Sequence, residues 1–516
     1  MAKALMIQGT GSGAGKSLIA AAFCRIFSDM GINVAPFKAQ NMALNSYITG
    51  EGGEIGRAQA LQAEAARVPA SVDMNPILLK VSGETGSQVI VHGKVLETMR
   101  AQEYYAFRQE AWKAVAASYK RLAQRHDLLV IEGAGSPAEI NLMNVDIVNM
   151  AVAKHAKAPV LLVGDIDKGG VFASLYGTIK LLGRDSRHIK AFIINKFRGD
   201  LAILKPGLDM IRDKTGKPVI GVLPYIFNIG LPEEDGLSLQ KNAKAGLPNR
   251  NGSGSGKVRI VVARLKYIAN FTDFDPLALE PDVELIYSDN PADIEGADLV
   301  IVPGSKNTMK DLAALKELGL DESIKKAYEK GIQLIGICGG YQMLGRKIHD
   351  PYCVESSCKA AEGLGLLNIE TTFERTKTTC RAEAAINTSG AASGCTGRAL
   401  LSRYGVPPSL LLKGYEIHMG GSKGDIGLFT LKRAFESEPV MDGSENKNCW
   451  GTYLHGIFEN DQLRRGIINS IRARKGMSPL GQTYSYAETK EQAIDSLAKI
   501  VRENLDMDFI KGAIRL

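Results

Sequence analysis

Short apolar runs alternate with helix-like segments through most of the chain, and this alternation limits its fold more than any other feature. In the first 240 residues the apolar runs are KALMIQG, NVAPFK, DLLVIEGAG, APVLLVGDID, IKAFIINKF and PVIGVLPY. Segments between them, such as SLIAAAFCRIFSDMG, repeat apolar residues at helical spacing. Continuous apolar strands that alternate with helices are typical of a parallel sheet covered on both faces. The sequence therefore predicts an α/β fold.

The alternation breaks once, at QKNAKAGLPNRNGSGSGK, which is rich in Gly, Ser and Asn and has no hydrophobic period. It resumes with VRIVVARL, DVELIYS, ADLVIVPGS and GIQLIGIC. A chain of 516 residues also exceeds what one core usually supports. We therefore predict two doubly wound domains, at 1–240 and 258–470, joined by a linker at 241–257. A helical tail at 471–516, with a helix in YAETKEQAIDSLAKIVRENLDM, completes the predicted organisation.

Composition excludes several classes of protein. The net charge of +7 comes from 63 basic and 56 acidic residues without basic blocks, so it gives little support for nucleic-acid binding. No apolar run reaches the roughly 18 residues of a membrane-spanning helix, and the N-terminus lacks the apolar region of a signal peptide. The seven cysteines do not suggest a disulfide framework, and Cys353 with Cys358 lacks a second pair at zinc-site spacing. These features predict a cytoplasmic enzyme with reduced cysteines.

The stretch GTGSGAGKS follows the first strand and opens a helix. In this arrangement backbone N–H groups and the helix N-terminus surround phosphate. We expect Lys16 to reach the outer phosphates of ATP and the Ser17 hydroxyl to coordinate Mg²⁺. The sequence therefore predicts a nucleotide loop.

The glycine spacing of this loop leaves a second interpretation open. In the usual nucleotide loop a glycine stands where this chain has Thr10, and Gly9 lies one residue further back. The same letters fit the dinucleotide pattern G-x-G-x-x-A, which requires an acidic residue at the end of the second strand. That strand ends instead in Lys38, so ATP is favoured. The predicted ATP-binding residues of the loop are Thr10, Gly13, Gly15, Lys16 and Ser17.

Carboxylates stand at the ends of two later strands. Glu132 ends DLLVIE, and Asp165 and Asp167 end VLLVGDID. Ligands of open α/β sheets bind at the carboxyl ends of the strands, and a carboxylate there can hold Mg²⁺. A helix cap or a turn is the alternative for each acid taken alone. We predict Glu132 and Asp165 as metal ligands together with Ser17.

The extended loop, Lys38 and the EGAG turn together resemble the dethiobiotin synthetase-like ATPases, which transfer the γ-phosphate of ATP to a carboxyl or carbamate group. The resemblance implies that Lys16 is the loop lysine and that Lys38 is a catalytic lysine on the substrate side. It also implies that Glu132 is the acidic magnesium ligand and that Asn195, in IINKFRG, contacts adenine.

The stretch GIQLIGICGGYQMLG is predicted to form a strand, a tight turn and a helix, with Cys338 on the turn. A sharp strand-to-helix turn exposes a nucleophile, and the flanking glycines argue against a purely packing role for the cysteine. A thiol nucleophile needs a base. His455, in CWGTYLHGIFEN, is the predicted base, and His418, in GYEIHMGG, is the alternative. The N–H groups of Gly304 and Gly339 are the predicted oxyanion hole.

This constellation resembles the class I glutamine amidotransferases, and in particular their cobyric acid-type branch. The more familiar branch carries a glutamate two residues after its histidine. Here that position is Ile457, so a third member of the catalytic set is not visible in the sequence. Glu459 is a candidate substitute.

Over roughly residues 1–470 the chain resembles the cobyric acid synthase family, in stretches such as PFKAQNMALNSYIT, GDIDKGGVFAS, NKFRGD, PGSKNT, GYEIHMG and YLHGIFEN. The resemblance assigns ATP-dependent amidation to residues 1–240 and glutamine hydrolysis to residues 258–470. It implies that ammonia from glutamine amidates the b, d, e and g carboxylates of adenosylcobyrinic acid a,c-diamide, through acyl phosphates, in cobalamin biosynthesis.

Two other families remain as alternatives. Cobyrinic acid a,c-diamide synthases share the architecture but carry a GPDYIDP-like stretch in place of KAQNMALNS. Partitioning ATPases, which bind DNA or membranes, carry an extra lysine early in the loop, where this chain has Thr10, Gly11 and Ser12. They also have no reason to carry a Cys–His pair.

Overall fold

The computed structural model describes residues 2–81, 86–227, 229–232, 256–388 and 397–516. The predicted linker lies outside the described residues except at its last two positions. Two six-stranded sheets, each largely parallel, confirm the predicted α/β class. No helix in these ranges has both the length and the apolar composition needed to cross a membrane.

The first domain is built on a parallel sheet. Its strands are β1 (Lys3–Gly9), β2 (Val34–Phe37), β3 (Gln40–Met42), β4 (Ser46–Ile48), β5 (Glu54–Gly56), β6 (Ile77–Val81), β7 (Gly86–Val91), β8 (Lys94–Arg100), β9 (Leu128–Glu132), β10 (Val160–Asp165), β11 (Ile189–Phe197) and β12 (Val219–Pro224). The helices are α1 (Lys16–Asp29), α2 (Arg57–Ala65), α3 (Ala101–Arg125), α4 (Met150–His155), α5 (Val171–Leu182) and α6 (Leu201–Thr215). The parallel sheet has the order β12-β11-β10-β1-β9-β2.

Strand β1 explains why this sheet is covered on both faces. Its Ala4 and Met6 belong to one apolar core, whereas Leu5 and Ile7 belong to another on the opposite face. Successive side chains of a strand point to opposite faces, so a continuous apolar run needs two cores. A smaller sheet, β3-β6-β7-β8, and the hairpin β4-β5 were not predicted from the sequence.

The second domain has its own parallel sheet. Its strands are β13 (Val258–Ala263), β14 (Val283–Ser288), β15 (Leu299–Val302), β16 (Gln333–Ile337), β17 (Lys347–His349), β18 (Ala360–Glu362), β19 (Ile369–Ile386), β20 (Leu411–Gly424), β21 (Phe429–Arg433), β22 (Val440–Asp442), β23 (Ser444–Asn446) and β24 (Cys449–Thr452). The order is β14-β13-β15-β16-β24-β23, with β23 antiparallel to β24. The helices are α7 (Asp275–Ala278), α8 (Pro291–Glu295), α9 (Thr308–Glu317), α10 (Leu320–Glu329), α11 (Gly339–Leu344), α12 (Arg398–Tyr404) and α13 (Asp461–Arg474).

A mixed sheet, β18-β17-β19-β21-β22 with β20 paired to β19, is the second addition to the predicted fold. Its long strands β19 and β20 run antiparallel. Buried and exposed residues alternate along much of β19, which therefore lacks the continuous apolar run of a fully buried strand. This sheet matters for the site, because β20 carries Ile417 and His418 to the loop that holds Cys338.

The C-terminal residues return to the first domain. The predicted helix is α14 (Tyr486–Asn504), and a further helix, α15 (Met507–Ile514), follows it. Ile494, Leu497 and Val501 of α14 share an apolar core with Ile7 of β1. The tail therefore covers one face of the first sheet. Helix α13 runs across the boundary that we predicted at residue 470.

Candidate active site

The predicted nucleotide loop connects β1 to α1 at the carboxyl edge of the first sheet. Gly13 and Gly15 have φ angles of 71° and 98°, which favour glycine. A Cβ atom at Gly15 would lie 2.1 Å from the Asn195 side-chain nitrogen, so no larger residue fits there. The loop thus forms a close-fitting backbone cradle at a helix N-terminus, and this geometry suits a nucleotide phosphate.

Lys16 is buried beside this loop. Its Nζ donates to the carbonyl oxygens of Gly11, at 2.9 Å, and Gly135, at 3.1 Å. Gly135 belongs to the EGAG turn after β9, so the ammonium lies between the nucleotide loop and the turn that follows Glu132. The position of Lys16 is therefore compatible with its predicted role.

Glu132 is the most heavily hydrogen-bonded side chain of this edge. Its Oε1 accepts from the Ser17 hydroxyl at 2.7 Å and from Lys38 Nζ at 2.9 Å. Its Oε2 accepts from Gln62 at 2.6 Å and from Gln59 at 3.3 Å. A serine hydroxyl next to a carboxylate supplies the oxygen ligands that Mg²⁺ prefers, so the residues present fit the predicted metal. The structure thus brings Ser17, Lys38 and Glu132 together.

Asp165 and Asn195 contact the loop from neighbouring strands. Asp165 pairs with Lys196 Nζ at 2.9 Å, and the same Nζ donates to the Gly13 carbonyl at 2.6 Å. The Asn195 amide donates to the Ala14 carbonyl at 2.9 Å and so braces the loop. No group of three or more acidic, histidine or cysteine side chains in the described ranges could hold a metal ion. The metal role of Asp165 and the adenine contact of Asn195 stay predictions.

Cys338 lies on the turn between β16 and α11, as the sequence predicted. Its φ of 51° and ψ of −109° are unusual for a residue with a side chain, and such strain is commonly found at functional sites. The glycines beside it permit the turn, because a Cβ atom at Gly340 would lie 1.9 Å from the Val302 carbonyl oxygen. The Cys338 side chain is buried and its Sγ lies 3.6 Å from the Ile417 carbonyl oxygen.

His455 is oriented by a carboxylate that the sequence analysis missed. Its Nδ1 lies 2.6 Å from Asp273 Oδ2, and Asp273 Oδ1 accepts from the Gly456 N–H at 3.1 Å. Among the described residues the opposite nitrogen, Nε2, makes no hydrogen bond. Burial lowers the pKa of His455, but Asp273 and the neighbouring Cys338 outweigh burial and raise the pKa to about 10. The imidazole of His455 therefore holds its second proton at neutral pH.

Asp273 replaces Glu459 as the partner of the histidine. Glu459 instead pairs with Arg57 of the first domain, at 3.1 Å. Asp273 lies on a 3₁₀ turn, 182 positions before His455, and no spacing rule connects the two. The stretch NFTDFDP does concentrate two acids after a strand, but this signal does not distinguish a catalytic carboxylate from a turn.

His418, the alternative base, also lines the cavity around Cys338. Its Nδ1 lies 2.9 Å from the Gly420 carbonyl oxygen and its Nε2 lies 3.2 Å from Glu416 Oε1. Both ring nitrogens are therefore engaged, whereas His455 has one nitrogen left for the thiol.

The two predicted oxyanion-hole residues border this cavity. A Cβ atom at Gly304 would lie 3.2 Å from His455 Cε1 and 3.8 Å from Cys338 Cβ. A Cβ atom at Gly339 would lie 2.9 Å from the Ser305 nitrogen, so the two glycine segments touch. Neither glycine N–H donates to a backbone carbonyl in the described part of the chain. Their role stays a prediction, but their placement is compatible with it.

The domains meet between the two sites. Asn45, in the QNMALNS stretch, accepts from the Phe271 N–H at 3.0 Å, and Asn270 accepts from the Ser46 N–H at 2.8 Å. These bonds hold the segment that carries Asp273. Helix α2 contributes Arg57 to the pair with Glu459 and places Gln59 and Gln62 on Glu132. Helix α2 therefore connects Glu132 of the first site to Glu459, which follows His455 by four residues.

Comparison with known proteins finds two family models that match different parts of the chain. The model of the CobQ/CobB/MinD/ParA nucleotide binding domain matches residues 5–239, and that of the CobB/CobQ-like glutamine amidotransferase domain matches residues 259–463. A glutamine amidotransferase crystal structure covers 42% of this chain and 99% of its own, at 14% identity and a TM-score of 0.25. That score is too low to carry an argument.

Curated relatives match along nearly the whole chain. The cobyric acid synthase of Thermodesulfovibrio yellowstonii is 50% identical over 98% of both chains. That of Caldanaerobacter subterraneus subsp. tengcongensis is 49% identical over 99% of this chain and 98% of its own. Because the identity is high and covers both domains, the chain belongs to the cobyric acid synthase family.

Proposed function

We propose that this chain uses ATP and glutamine to amidate the b, d, e and g carboxylates of adenosylcobyrinic acid a,c-diamide, giving adenosylcobyric acid. As a member of the cobyric acid synthase family it is a glutamine-dependent amide ligase of cobalamin biosynthesis. The observation that carries the proposal is that one chain holds both the Ser17–Lys38–Glu132 cluster beside the nucleotide loop and the Cys338–His455–Asp273 set, since a nitrogen source and an activated carboxylate must be coupled. We also propose a cytoplasmic location, because the seven cysteines do not suggest a disulfide framework.

In the first domain the residues position and neutralise charge. When bound, ATP would supply the phosphoryl group, and Ser17 and Glu132 would hold Mg²⁺. Lys16 binds the outer phosphates, and Lys38 stabilises the negative charge shared by the phosphoryl group and the substrate carboxylate. Phosphoryl transfer asks a protein mainly for such positioning and charge stabilisation. The product is an acyl phosphate and ADP.

In the second domain the Cys338 thiolate attacks the side-chain amide carbon of glutamine. The N–H groups of Gly304 and Gly339 hold the oxyanion, and His455 gives the proton from Nε2 to the leaving ammonia. His455 then takes a proton from water, which attacks the thioester carbon and releases glutamate and the thiol. Asp273 keeps the imidazole in place through Nδ1. The released ammonia attacks the acyl phosphate, and phosphate leaves as the amide forms.

Mass spectrometry tests the proposal directly. The protein is incubated with ATP, Mg²⁺, glutamine and adenosylcobyrinic acid a,c-diamide, and the amides formed are counted. Four new amides support the proposal. In a parallel incubation with cobyrinic acid, two new amides together with no turnover of the diamide would indicate the a,c-diamide synthase activity instead.

The Cys338→Ser variant separates the two half-reactions. It should make no amide with glutamine but should still make the amides with free ammonia, because the first domain needs only a nitrogen nucleophile. Equal loss with both nitrogen sources in a folded variant would contradict the separate-site mechanism.

A further inference from the structure

The cavity around Cys338 carries charges that the mechanism above does not use. Besides the catalytic residues, it is lined by Lys306 and Glu355 of the second domain, by Lys377 of β19 and by Lys80 of the first domain. Charged side chains facing a partly buried cavity are costly unless something pairs with them. Their partners therefore indicate what the cavity is built to hold.

Lys80 and Lys377 already have a partner. Glu54, which is fully buried, lies 2.9 Å from Lys80 Nζ and 2.6 Å from Lys377 Nζ. These two lysines hold Glu54 ionised, with its pKa far below the ordinary value despite the opposing effect of burial. This triad joins the two domains, since Glu54 and Lys80 belong to the first and Lys377 to the second.

Lys306 and Glu355 are different. In the described part of the chain the Lys306 ammonium makes no hydrogen bond or ion pair. Glu355 accepts from the Thr308 N–H at 2.6 Å and forms no ion pair there either. Burial raises the pKa of Glu355 to about 7 and lowers that of Lys306, although each residue partly opposes the shift of the other. A cation and an anion thus border the same cavity without pairing with one another.

An α-amino acid head group has the complementary pair of charges. We propose that Glu355 binds the α-ammonium and Lys306 the α-carboxylate of the glutamine whose side-chain amide reacts at Cys338. The assignment rests on the proposed glutaminase activity. Lys80, Lys377 and Glu54 together add one net positive charge to the cavity wall. This charge also favours binding of the α-carboxylate. Glu355 therefore selects amides that carry an α-ammonium group, and Lys306 selects amides that carry an α-carboxylate.

Glutamine and two of its analogues, used as three amide substrates, test the contacts of Glu355 and Lys306 separately. Glutaramic acid lacks the α-ammonium of glutamine, and 4-aminobutanamide lacks its α-carboxylate. Hydrogen bonds to charged groups contribute enough for a roughly 10- to 100-fold effect on kcat/KM. The Glu355→Gln variant should lose this factor on glutamine but not on glutaramic acid. The Lys306→Met variant should lose it on glutamine but not on 4-aminobutanamide.

The controls distinguish recognition from folding. Lys310→Met and Glu317→Gln change exposed residues of helix α9, which begins two residues after Lys306, and should match the wild type. Ammonia-dependent amidation should be unchanged in all four variants. Equal losses on all three amides, or none on glutamine, would overturn the assignment while leaving the proposed function intact. A wild-type protein that does not hydrolyse glutamine would contradict the proposed function itself, and this inference with it.

Discussion

At the scale of single residues, Asp273 decides which nitrogen of His455 faces the thiol. Its carboxylate engages Nδ1 at 2.6 Å, so Nε2 is the nitrogen left for Cys338. A carboxylate at this position fixes the ring orientation and stabilises the charged imidazole. The catalytic set is therefore split between a turn near the start of the second domain and a loop near its end.

The base can be tested by His455→Asn, which keeps a polar side chain that cannot take a proton near neutral pH. General-base assistance contributes about 10²- to 10⁴-fold in rate, so glutamine-dependent turnover should fall by that factor. Ammonia-dependent turnover should stay close to wild type. His418→Asn serves as the comparison, since both nitrogens of His418 are engaged elsewhere. If His418→Asn shows the larger loss of glutaminase activity, the assignment of the base is wrong.

The raised pKa of His455 also predicts how stability depends on pH. The folded protein holds this proton more tightly than the unfolded chain, because its pKa is raised to about 10. The resulting stabilisation is complete below about pH 6.5, the ordinary histidine pKa, and is lost as the pH rises toward 10.

The Asp273→Asn variant removes the main cause of the raised pKa of His455. The difference in free energy of unfolding between wild type and Asp273→Asn should therefore shrink from pH 6.5 to pH 10, as measured by urea denaturation. A difference that is constant over this range would contradict the prediction.

At the scale of secondary-structure elements, α14 is an outer layer of the first domain, whose strand β1 lies almost 500 residues earlier in the sequence. Its Ile494, Leu497 and Val501 fill the core above Leu5 and Ile7 of β1. Arg25 of α1, which is fully buried, reaches Glu491 of α14 at 2.6 Å. The helix is thus held by both packing and a charged contact.

The Leu497→Ala variant measures how much this element contributes. Leu497 is 1% exposed, and truncation of such a leucine typically costs about 2–5 kcal/mol. We expect a loss in this range in chemical denaturation of the first domain. Lys499→Ala, an exposed position on the same helix, should change stability by less than about 0.5 kcal/mol. Equal effects of the two substitutions would mean that the helix does not stabilise the sheet.

The elements that the sequence predicted well are those with a local signal. DLLVIE and APVLLVGDID become β9 and β10 because strands buried on both faces leave continuous apolar runs. IETTFERTKTTCRAEAAI becomes β19, one strand of 18 residues, and was missed because alternating polar residues hide it among loops. Asp273 and the contacts of Asn45 and Arg57 were missed for another reason. They depend on pairing between residues 182 to 402 positions apart, which no local pattern records.

At the scale of the whole molecule, one chain carries two sites, and a substitution in one site should abolish its reaction without abolishing the reaction of the other. Lys16→Ala removes the ammonium at the nucleotide loop, so amide synthesis should be lost with glutamine and with ammonia alike. Basal glutamine hydrolysis at Cys338 should survive, because that bond-making needs no ATP. Glutamate release and amide formation are measured in parallel. Undiminished ammonia-dependent synthesis in this variant would contradict the assignment of the loop.

The interface between the sites can be tested through Arg57. Loss of its contact with Glu459 should loosen the junction and let ammonia escape, so Arg57→Met should lower the ratio of amide formed to glutamine hydrolysed. Arg67→Met, which changes a half-exposed residue just beyond helix α2, is the matched control. The ratio is read from glutamate and amide yields in one reaction. An unchanged ratio in Arg57→Met would show that the ion pair plays no part in ammonia transfer.

The position of α14 also has a consequence for how the protein is made. A ribosome completes β12 at Pro224 long before it reaches Val501. At the usual 5–20 residues per second the delay is on the order of tens of seconds. During that time the Leu5 and Ile7 face of the first sheet has no α14 to cover it, although the rest of the domain has already emerged. The first domain to be synthesised is therefore the last to be finished, and a nascent chain stalled before residue 486 should expose this apolar face to chaperones.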